Sequence, residues 1–92
     1  MIFLIDKDML YTTFSINDFN KIEGATNSMA PSMVEYYLND LINYAQDTYL
    51  NKSQVQCSVF IGDYSLYIDY NDNIYLELDN EALNASEASS FW

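Results

Sequence analysis

The residues of this chain that could do chemistry are almost all carboxylates. The sequence carries 14 Asp and Glu against three lysines, and it has no Arg and no His. Without histidine the chain lacks the commonest general base and the commonest neutral metal ligand. Cys57 is the single cysteine, and it falls on the apolar side of a predicted central strand, where a small buried side chain is expected. Carboxylate pairs can hydrolyse glycosides, but no spacing selects one pair, so we predict that the chain is not an enzyme.

One segment, DYNDN beginning at Asp69, has the spacing of oxygen ligands that calcium loops use. Asp69, Asn71 and Asn73 match the first three ligand positions of an EF-hand loop. The sixth position requires Gly and is Ile74, and the twelfth requires Glu and is Asn80. We therefore interpret the segment as a turn, and we predict neither a metal site nor a cofactor.

Three runs of alternating apolar and polar residues predict strands around this turn. They cover 54–61, 64–70 and 74–79, and they are separated by Gly-Asp at 62–63 and by Asn-Asp-Asn at 71–73. Glycine in the first position of a two-residue connection is typical of a tight hairpin. The runs predict a three-stranded antiparallel β-meander with one solvated face.

A long amphipathic helix is predicted before the strands, over 31–50. Its apolar residues recur at spacings of three and four. Ser32 and Glu35 form the Ser-x-x-Glu pattern of a capping box. Asp40 and Asp47 fall on the polar face of this helix, one i, i+7 step apart.

The remaining segments are short. Residues 2–5 predict either a strand or the start of a helix. Residues 15–23 predict a short helix capped by Ser15, and 81–92 is expected to be a frayed tail. We therefore predict one α+β domain over 1–92, with the long helix packed on the three-stranded antiparallel β-meander and a short N-terminal element.

The outward positions of the predicted strands carry negative charge. Residues two apart on a strand lie about 6.6 Å apart on one face, so Glu77 and Asp79 would present evenly spaced carboxylates. Asp69 would lie on the neighbouring strand, with Asp63 and Asp72 in the turns. A regular row of anions resembles a row of phosphates, and a groove that binds nucleic acid would attract it.

Tyrosines accompany these charges. The chain has nine tyrosines and five phenylalanines, and Tyr36, Tyr44, Tyr67 and Tyr75 fall on predicted outer faces. Tyrosine is enriched at interface hot spots because it buries a large area at a small cost in conformational entropy. An acidic face with exposed tyrosines suits a partner site rich in Arg and Lys.

The net charge of −11 restricts the class of partner. Nucleic acids and anionic membranes are met by Lys and Arg, so direct binding to either is disfavoured and a basic protein partner is favoured. A single cysteine allows no internal disulfide and favours a reducing compartment. The apolar run at the N-terminus is too short for a signal peptide or a membrane span, so we predict a cytoplasmic location.

In size, charge and lack of catalytic residues the whole chain resembles the small acidic phage-encoded inhibitors that mimic nucleic acid. These include anti-CRISPR proteins, antirestriction proteins and uracil-DNA glycosylase inhibitors. The resemblance implies a non-catalytic inhibitor, in the cytoplasm of a bacterial host, that blocks the nucleic-acid site of a basic nuclease or CRISPR effector. An immunity protein or antitoxin, or a small homo-oligomeric structural protein, is the alternative, and the chain is expected to be a monomer or a homodimer. The predicted partner-binding residues are Asp40, Asp47, Asp63, Tyr67, Asp69, Asp72, Tyr75, Glu77 and Asp79.

Overall fold

The computed structural model describes residues 1–78, in which three α-helices lie against a five-stranded antiparallel sheet. The elements are β1 (Ile2–Ile5), α1 (Lys7–Thr13), α2 (Ile22–Asn27), α3 (Pro31–Ile42), β2 (Gln46–Thr48), β3 (Val55–Ile61), β4 (Tyr64–Asp69) and β5 (Ile74–Leu78). Two 3-10 turns cover Phe19–Lys21 and Lys52–Gln54. Asp79 and the predicted tail at 81–92 lie outside the described residues.

The predicted α+β class is confirmed, and the meander is present as part of a larger sheet. The strand order is β2-β1-β5-β4-β3, so β3, β4 and β5 form the meander and β1 continues it from β5. The apolar run at 2–5 is therefore a central strand with neighbours on both sides. Its lack of alternation reflects this position, because both of its faces are partly or fully buried.

Helix α3 begins at residue 31, as predicted, but it is shorter than predicted and its N-cap differs. Pro31 takes the first helical position, so the N-cap is Ala30, which has no side-chain oxygen, and the Ser32–Glu35 capping box is wrong. The helix ends at Ile42, and the chain turns through 43–45 into β2. Asp47 consequently lies on an edge strand beside Phe3 of β1, away from the helix that carries Asp40. Pairing with β1 covers an edge that a longer helix would leave open.

The predicted helix at 15–23 is also wrong, because Ser15 ends a helix instead of beginning one. Asp6 is the N-cap of helix α1, and its Oδ1 accepts hydrogen bonds from the amides of Asp8 (2.8 Å) and Met9 (3.2 Å). At its end Ser15 has φ 55°, and its N–H bonds to the carbonyl of Thr12, while the N–H of the next residue bonds to the carbonyl of Tyr11. This pair of bonds is the Schellman motif, whose left-handed residue is usually glycine.

All three helices cover one face of the sheet, and the main core lies between the two layers. Alternate strand residues point to opposite faces, and the buried residues of β4 and β5 that face the helices are Leu66, Ile68, Ile74 and Leu76. Cys57 also faces the core, but β3 is an edge strand rather than the predicted central one, so Cys57 is only half-buried.

Within residues 1–78 no helix is long and apolar enough to cross a membrane.

Candidate partner-binding surface

The sheet face that points away from the helices, here called the open face, carries four of the predicted site residues. The strand register places Tyr67 and Asp69 of β4 and Tyr75 and Glu77 of β5 on this face, as the alternation predicted. The prediction that they are solvated is wrong, however, for the two β4 residues. Tyr67 is only 8% exposed and Asp69 only 7%.

Asp69 is buried because it organises the turn between β4 and β5. Its Oδ1 accepts hydrogen bonds from the amides of Asn71 and Asn73, both at 2.9 Å. Its Oδ2 accepts bonds from the Tyr75 hydroxyl (3.0 Å) and from the Asn73 side chain (3.3 Å). Burial opposes ionisation of this carboxyl, but the bonds from Asn73, Tyr75 and Asn71 outweigh it and hold the pKa of Asp69 below its ordinary value. Asp69 is thus a structural anion, and the predicted turn at 69–73 is confirmed.

Glu77 is engaged by a second network on the same face. Its Oε1 accepts hydrogen bonds from the Tyr67 hydroxyl (2.7 Å) and from Lys52 Nζ (3.0 Å). The same Nζ lies 5.3 Å from the centre of the Tyr67 ring, within cation–π range. Burial opposes ionisation, but the Tyr67 and Lys52 bonds prevail and lower the pKa of Glu77.

Lys52 reaches the open face because the connection 49–54 crosses it. Strands β2 and β3 form opposite edges of the sheet, so the chain between them must pass over β1, β5 and β4. The Lys52 contacts with Tyr67 and Glu77 place this crossing on the side away from the helices. Leu50, in the same connection, is 6% exposed although it lies outside the main core cluster. The crossover therefore supplies part of the cover that the predicted meander lacked.

Asp69 and Glu77 are both engaged by donors of their own chain, so they do not form the predicted row of free carboxylates on the open face. The other described members of the predicted set are exposed but dispersed. Asp40 lies on α3 and Asp47 on the β2 edge, while Asp63 and Asp72 lie in turns at opposite ends of the sheet. Their assignment as partner-binding residues stays a prediction, but the structure does not bring them together.

Most of the described carboxylates are exposed and form no ion pair with a lysine. The two ion pairs between described side chains engage Asp18 with Lys21 (3.8 Å) and Glu77 with Lys52 (3.0 Å). Eight exposed carboxylates have no lysine partner: Asp6, Asp8, Glu23, Glu35, Asp40, Asp47, Asp63 and Asp72. The predicted exposure of Tyr36 (64%) and Tyr44 (72%) is confirmed as well.

Three of these carboxylates border a groove that the sequence did not predict. It lies between α2, the start of α3 and the β3–β4 hairpin, and has a volume of about 540 Å³. The residues that line it include the apolar residues Met29, Pro31, Val34, Phe60 and Ile61. We call this feature the acidic groove, because its other lining residues include Glu23, Glu35 and Asp63 and none of them is basic.

The negative charge of the acidic groove affects the hydroxyl of Tyr64, which also lines the groove. The Tyr64 hydroxyl donates a 2.7 Å hydrogen bond to Asn39 Oδ1. Burial raises the pKa of Tyr64, and the negative charges of Glu35 and Asp63 raise it further. The two carboxylates therefore act together on one point of the groove.

Sequence reasoning missed Glu23, Glu35 and Phe60 as surface residues of interest. The sequence pattern places Glu35 in a capping box that does not form. The sequence does indicate Phe60 as a surface residue, because it is a large aromatic residue at an outward position of a predicted strand. In the structure it is 71% exposed.

A second cavity, of about 460 Å³, lies nearer the other end of the sheet and is lined by Tyr11, Asp18 and Asp72 among others. Burial raises the pKa of Tyr11, and the charges of Asp18 and Asp72 add to this effect. In residues 1–78 no three His, Cys, Asp or Glu side chains are grouped so that they could hold a metal ion. Burial raises the pKa of the Cys57 thiol, which makes it a weak nucleophile at neutral pH.

No family model, no curated protein and no solved structure matches the chain. The function is therefore inferred from the surface features described above.

Proposed function

We propose that the protein is a non-catalytic inhibitor that blocks the nucleic-acid-binding site of a basic nuclease or CRISPR effector. The observation that carries this proposal is the set of eight exposed carboxylates without a lysine partner, in a chain with a net charge of −11. Ordinary solubilising surfaces mix both signs of charge. Here two of the three lysines are already paired with carboxylates of the same chain.

The physical mechanism is long-range attraction followed by occupation of the site. A surface of one sign steers a partner of opposite sign and raises the association rate, and this effect falls as salt screens the charges. A site that binds phosphates presents Lys and Arg. Exposed carboxylates meet those side chains as phosphates would, and the bound protein then excludes DNA or RNA.

The contact surface in this proposal differs from the one expected from sequence. Asp69 and Glu77 are held by donors of their own chain and are not available to a partner. The exposed carboxylates at the acidic groove, together with Asp72 and Asp8 elsewhere on the surface, take their place.

The experiment is an inhibition assay with a panel of purified enzymes: a CRISPR effector, a restriction endonuclease and a uracil-DNA glycosylase, each with its DNA substrate. We expect one member to be inhibited when the protein is added before DNA, and rescued by excess DNA. Inhibition should weaken steeply between about 50 and 200 mM salt, as nucleic-acid binding itself does.

A charge-depleted variant tests whether the exposed carboxylates carry the effect. Replacing Glu23, Glu35, Asp63 and Asp72 by their amides should weaken inhibition at least about tenfold, since each contributes to steering and contact. Inhibition that ignores both DNA concentration and salt would contradict mimicry and favour an immunity-type contact beside the active site. An absence of inhibition throughout a panel extended to other nucleic-acid enzymes would remove the proposal.

A further inference from the structure

Within residues 1–78, strand β3 is an unprotected edge of the sheet. It has seven residues, Val55–Ile61, and among the described elements it pairs with β4 alone. Natural proteins usually protect a long edge with charged residues or proline, and β3 contains neither. Its one irregularity, between Val55 and Cys57, leaves 57–61 in regular pairing with β4.

The hairpin geometry shows which backbone groups face the free edge. Ile61 and Tyr64 close a two-residue turn in which Gly62 has φ 57°, and the closing pair of such a turn exchanges both ladder hydrogen bonds. Bonded and non-bonded pairs alternate along an antiparallel ladder. The N–H and C=O groups of Ser58 and Phe60 therefore point away from β4 and can pair with another strand.

The acidic groove adjoins this edge, since Phe60 and Ile61 belong to both. On the side of the sheet that faces the helices, Cys57, Val59 and Ile61 are each only partly buried. A strand added beside β3 would cover them and direct every second side chain toward the groove.

We propose that the acidic groove and the β3 edge together bind an extended segment of a basic partner protein, in which lysine or arginine alternates with apolar residues. The segment adds a sixth strand to the sheet by backbone pairing with β3. The lysine or arginine side chains face the groove, where their aliphatic stems contact Met29 and Val34 and their charged ends meet Glu23, Glu35 and Asp63. The apolar side chains then point to the opposite side of the sheet, on which the exposed Phe60 lies. This inference deepens the proposed function and rests on it for the basic character of the partner.

Charge decides between this occupant and two others. A second copy of the chain would bring another −11 to the same edge, which opposes strand pairing between copies. The residues after 78 contain Asp79, Glu81 and Glu87 and no lysine, so they do not complement an acidic rim. A basic segment does.

The experiment titrates the ¹⁵N-labelled full chain with a synthetic heptapeptide of alternating lysine and valine, matched in length to β3. A peptide of alternating glutamate and valine is the control for backbone pairing without charge complementarity, and heptalysine is the control for charge alone. We expect the lysine–valine peptide to shift the amide signals of β3 and of the groove, and to bind at least about tenfold tighter than either control.

Two pairs of variants separate the two parts of the site. Ser58→Pro removes an edge N–H without removing a ladder bond to β4, and proline is tolerated on edge strands, whereas Ser58→Ala leaves the N–H in place. We expect only the proline variant to weaken binding, by about tenfold. Glu35→Gln with Asp63→Asn should weaken binding by a similar factor, while Asp40→Asn with Asp47→Asn, which changes the net charge equally, should change it by less than about twofold.

Each contrary result overturns a stated part. If the two amide pairs weaken binding equally, the peptide is held by diffuse charge attraction and not by the groove, and the proposed function is unaffected. Shifts confined to the region around Tyr11, Asp18 and Asp72 would place the site there instead. Concentration-dependent dimerisation of the wild type that Ser58→Pro abolishes would assign the edge to a second copy. If Ser58→Pro loses the wild-type circular dichroism, the decision falls to the amide pairs, which leave the backbone unchanged.

Discussion

The open face and the acidic groove are built from the same residue types, and they differ in what surrounds the carboxylates. On the open face Asp69 accepts four hydrogen bonds from its own chain, and Glu77 accepts two. At the groove Glu35 and Asp63 are exposed and pair with no lysine. Both regions contain a tyrosine beside carboxylates. The Tyr67 hydroxyl donates its hydrogen bond to a carboxylate, whereas the Tyr64 hydroxyl donates its bond to Asn39. A pattern of tyrosine and carboxylate therefore does not by itself indicate an interface.

The difference has opposite consequences for stability and for binding. A carboxylate that accepts bonds from its own chain stabilises the fold, and removing it leaves its donors without their acceptor. An exposed carboxylate contributes little to folding, but it is free to steer and contact a partner. Mutations should therefore separate the two regions: open-face changes should alter stability, and groove changes should alter binding.

The largest expected effect is that of Asp69→Ala. It leaves two turn amides and the Tyr75 hydroxyl without their acceptor, so we expect the free energy of unfolding to fall by about 3 kcal/mol. Asp63→Ala removes the same charge from an exposed turn and should change it by less than about 0.5 kcal/mol. Urea denaturation of both variants measures the difference. Similar losses in the two variants would abolish the distinction between the regions.

The pH dependence of stability tests the same network without deleting a side chain. The folded-state pKa of Asp69 is lowered, so its contribution is present above the unfolded-state value, about 3.9. That contribution is lost as pH falls through the folded-state pKa. Between pH 5 and 2 we expect the wild type to lose more stability than Asp69→Asn. The extra loss should be smaller than the loss caused by Asp69→Ala, because a protonated carboxyl still accepts hydrogen bonds. Parallel curves for the two proteins would contradict the lowered pKa.

The third effect concerns the Tyr67 hydroxyl. Tyr67→Phe removes the 2.7 Å bond to Glu77 and should lower the free energy of unfolding by about 1.5 kcal/mol, as expected for a hydrogen bond to a charged group. Tyr44→Phe, at a ring that is 72% exposed, is the matched control and should be neutral. A double-mutant cycle with Lys52→Met should give a coupling of about 0.5 kcal/mol, because the lysine is mostly exposed. A neutral Tyr67→Phe would show that the hydroxyl is solvated after all.

The smallest effect is a gain in stability at the turn that Asp69 organises. Asp72 has φ 64°, and a left-handed conformation costs a non-glycine residue about 1 to 2 kcal/mol. Asp72→Gly should therefore stabilise the protein by about 1 kcal/mol. Asp63→Gly removes the same charge where φ is not positive and should not stabilise. Thermal unfolding of both variants checks the difference, and equal gains would attribute the effect to charge alone.

The parts of the fold that were predictable depend on local pattern. The alternation in 54–61, 64–70 and 74–79 identified β3, β4 and β5 and the face on which Tyr67 and Glu77 lie. Gly62 and the Asn-Asp-Asn segment identified the turns, because turn residues act through their own backbone conformation. The apolar spacing of Val34, Leu38 and Leu41 identified α3, and all three are buried.

The errors lie at helix ends and where distant segments meet. Residues 46–48 read as a continuation of the helix, but they pair with β1, more than 40 positions earlier in the chain. Ser15 has the residue type of an N-cap and serves as a C-terminal residue, since α1 precedes it. Exposure of Tyr67 could not be predicted, because it depends on a crossover that brings Lys52 over the ring.

The sequence by itself determined the net charge, the absence of histidine and arginine, the strands of the meander and the acidic character of any partner-binding surface. These properties follow from composition and from the two-residue period of a strand. Only the tertiary structure decided which carboxylates are free. Asp69 and Glu77 are identical in type to Asp63 and Glu35. The fold of the β4–β5 turn brings donors to Asp69, and the strand pairing and the 49–54 crossover bring Tyr67 and Lys52 to Glu77, whereas no lysine reaches Asp63 or Glu35.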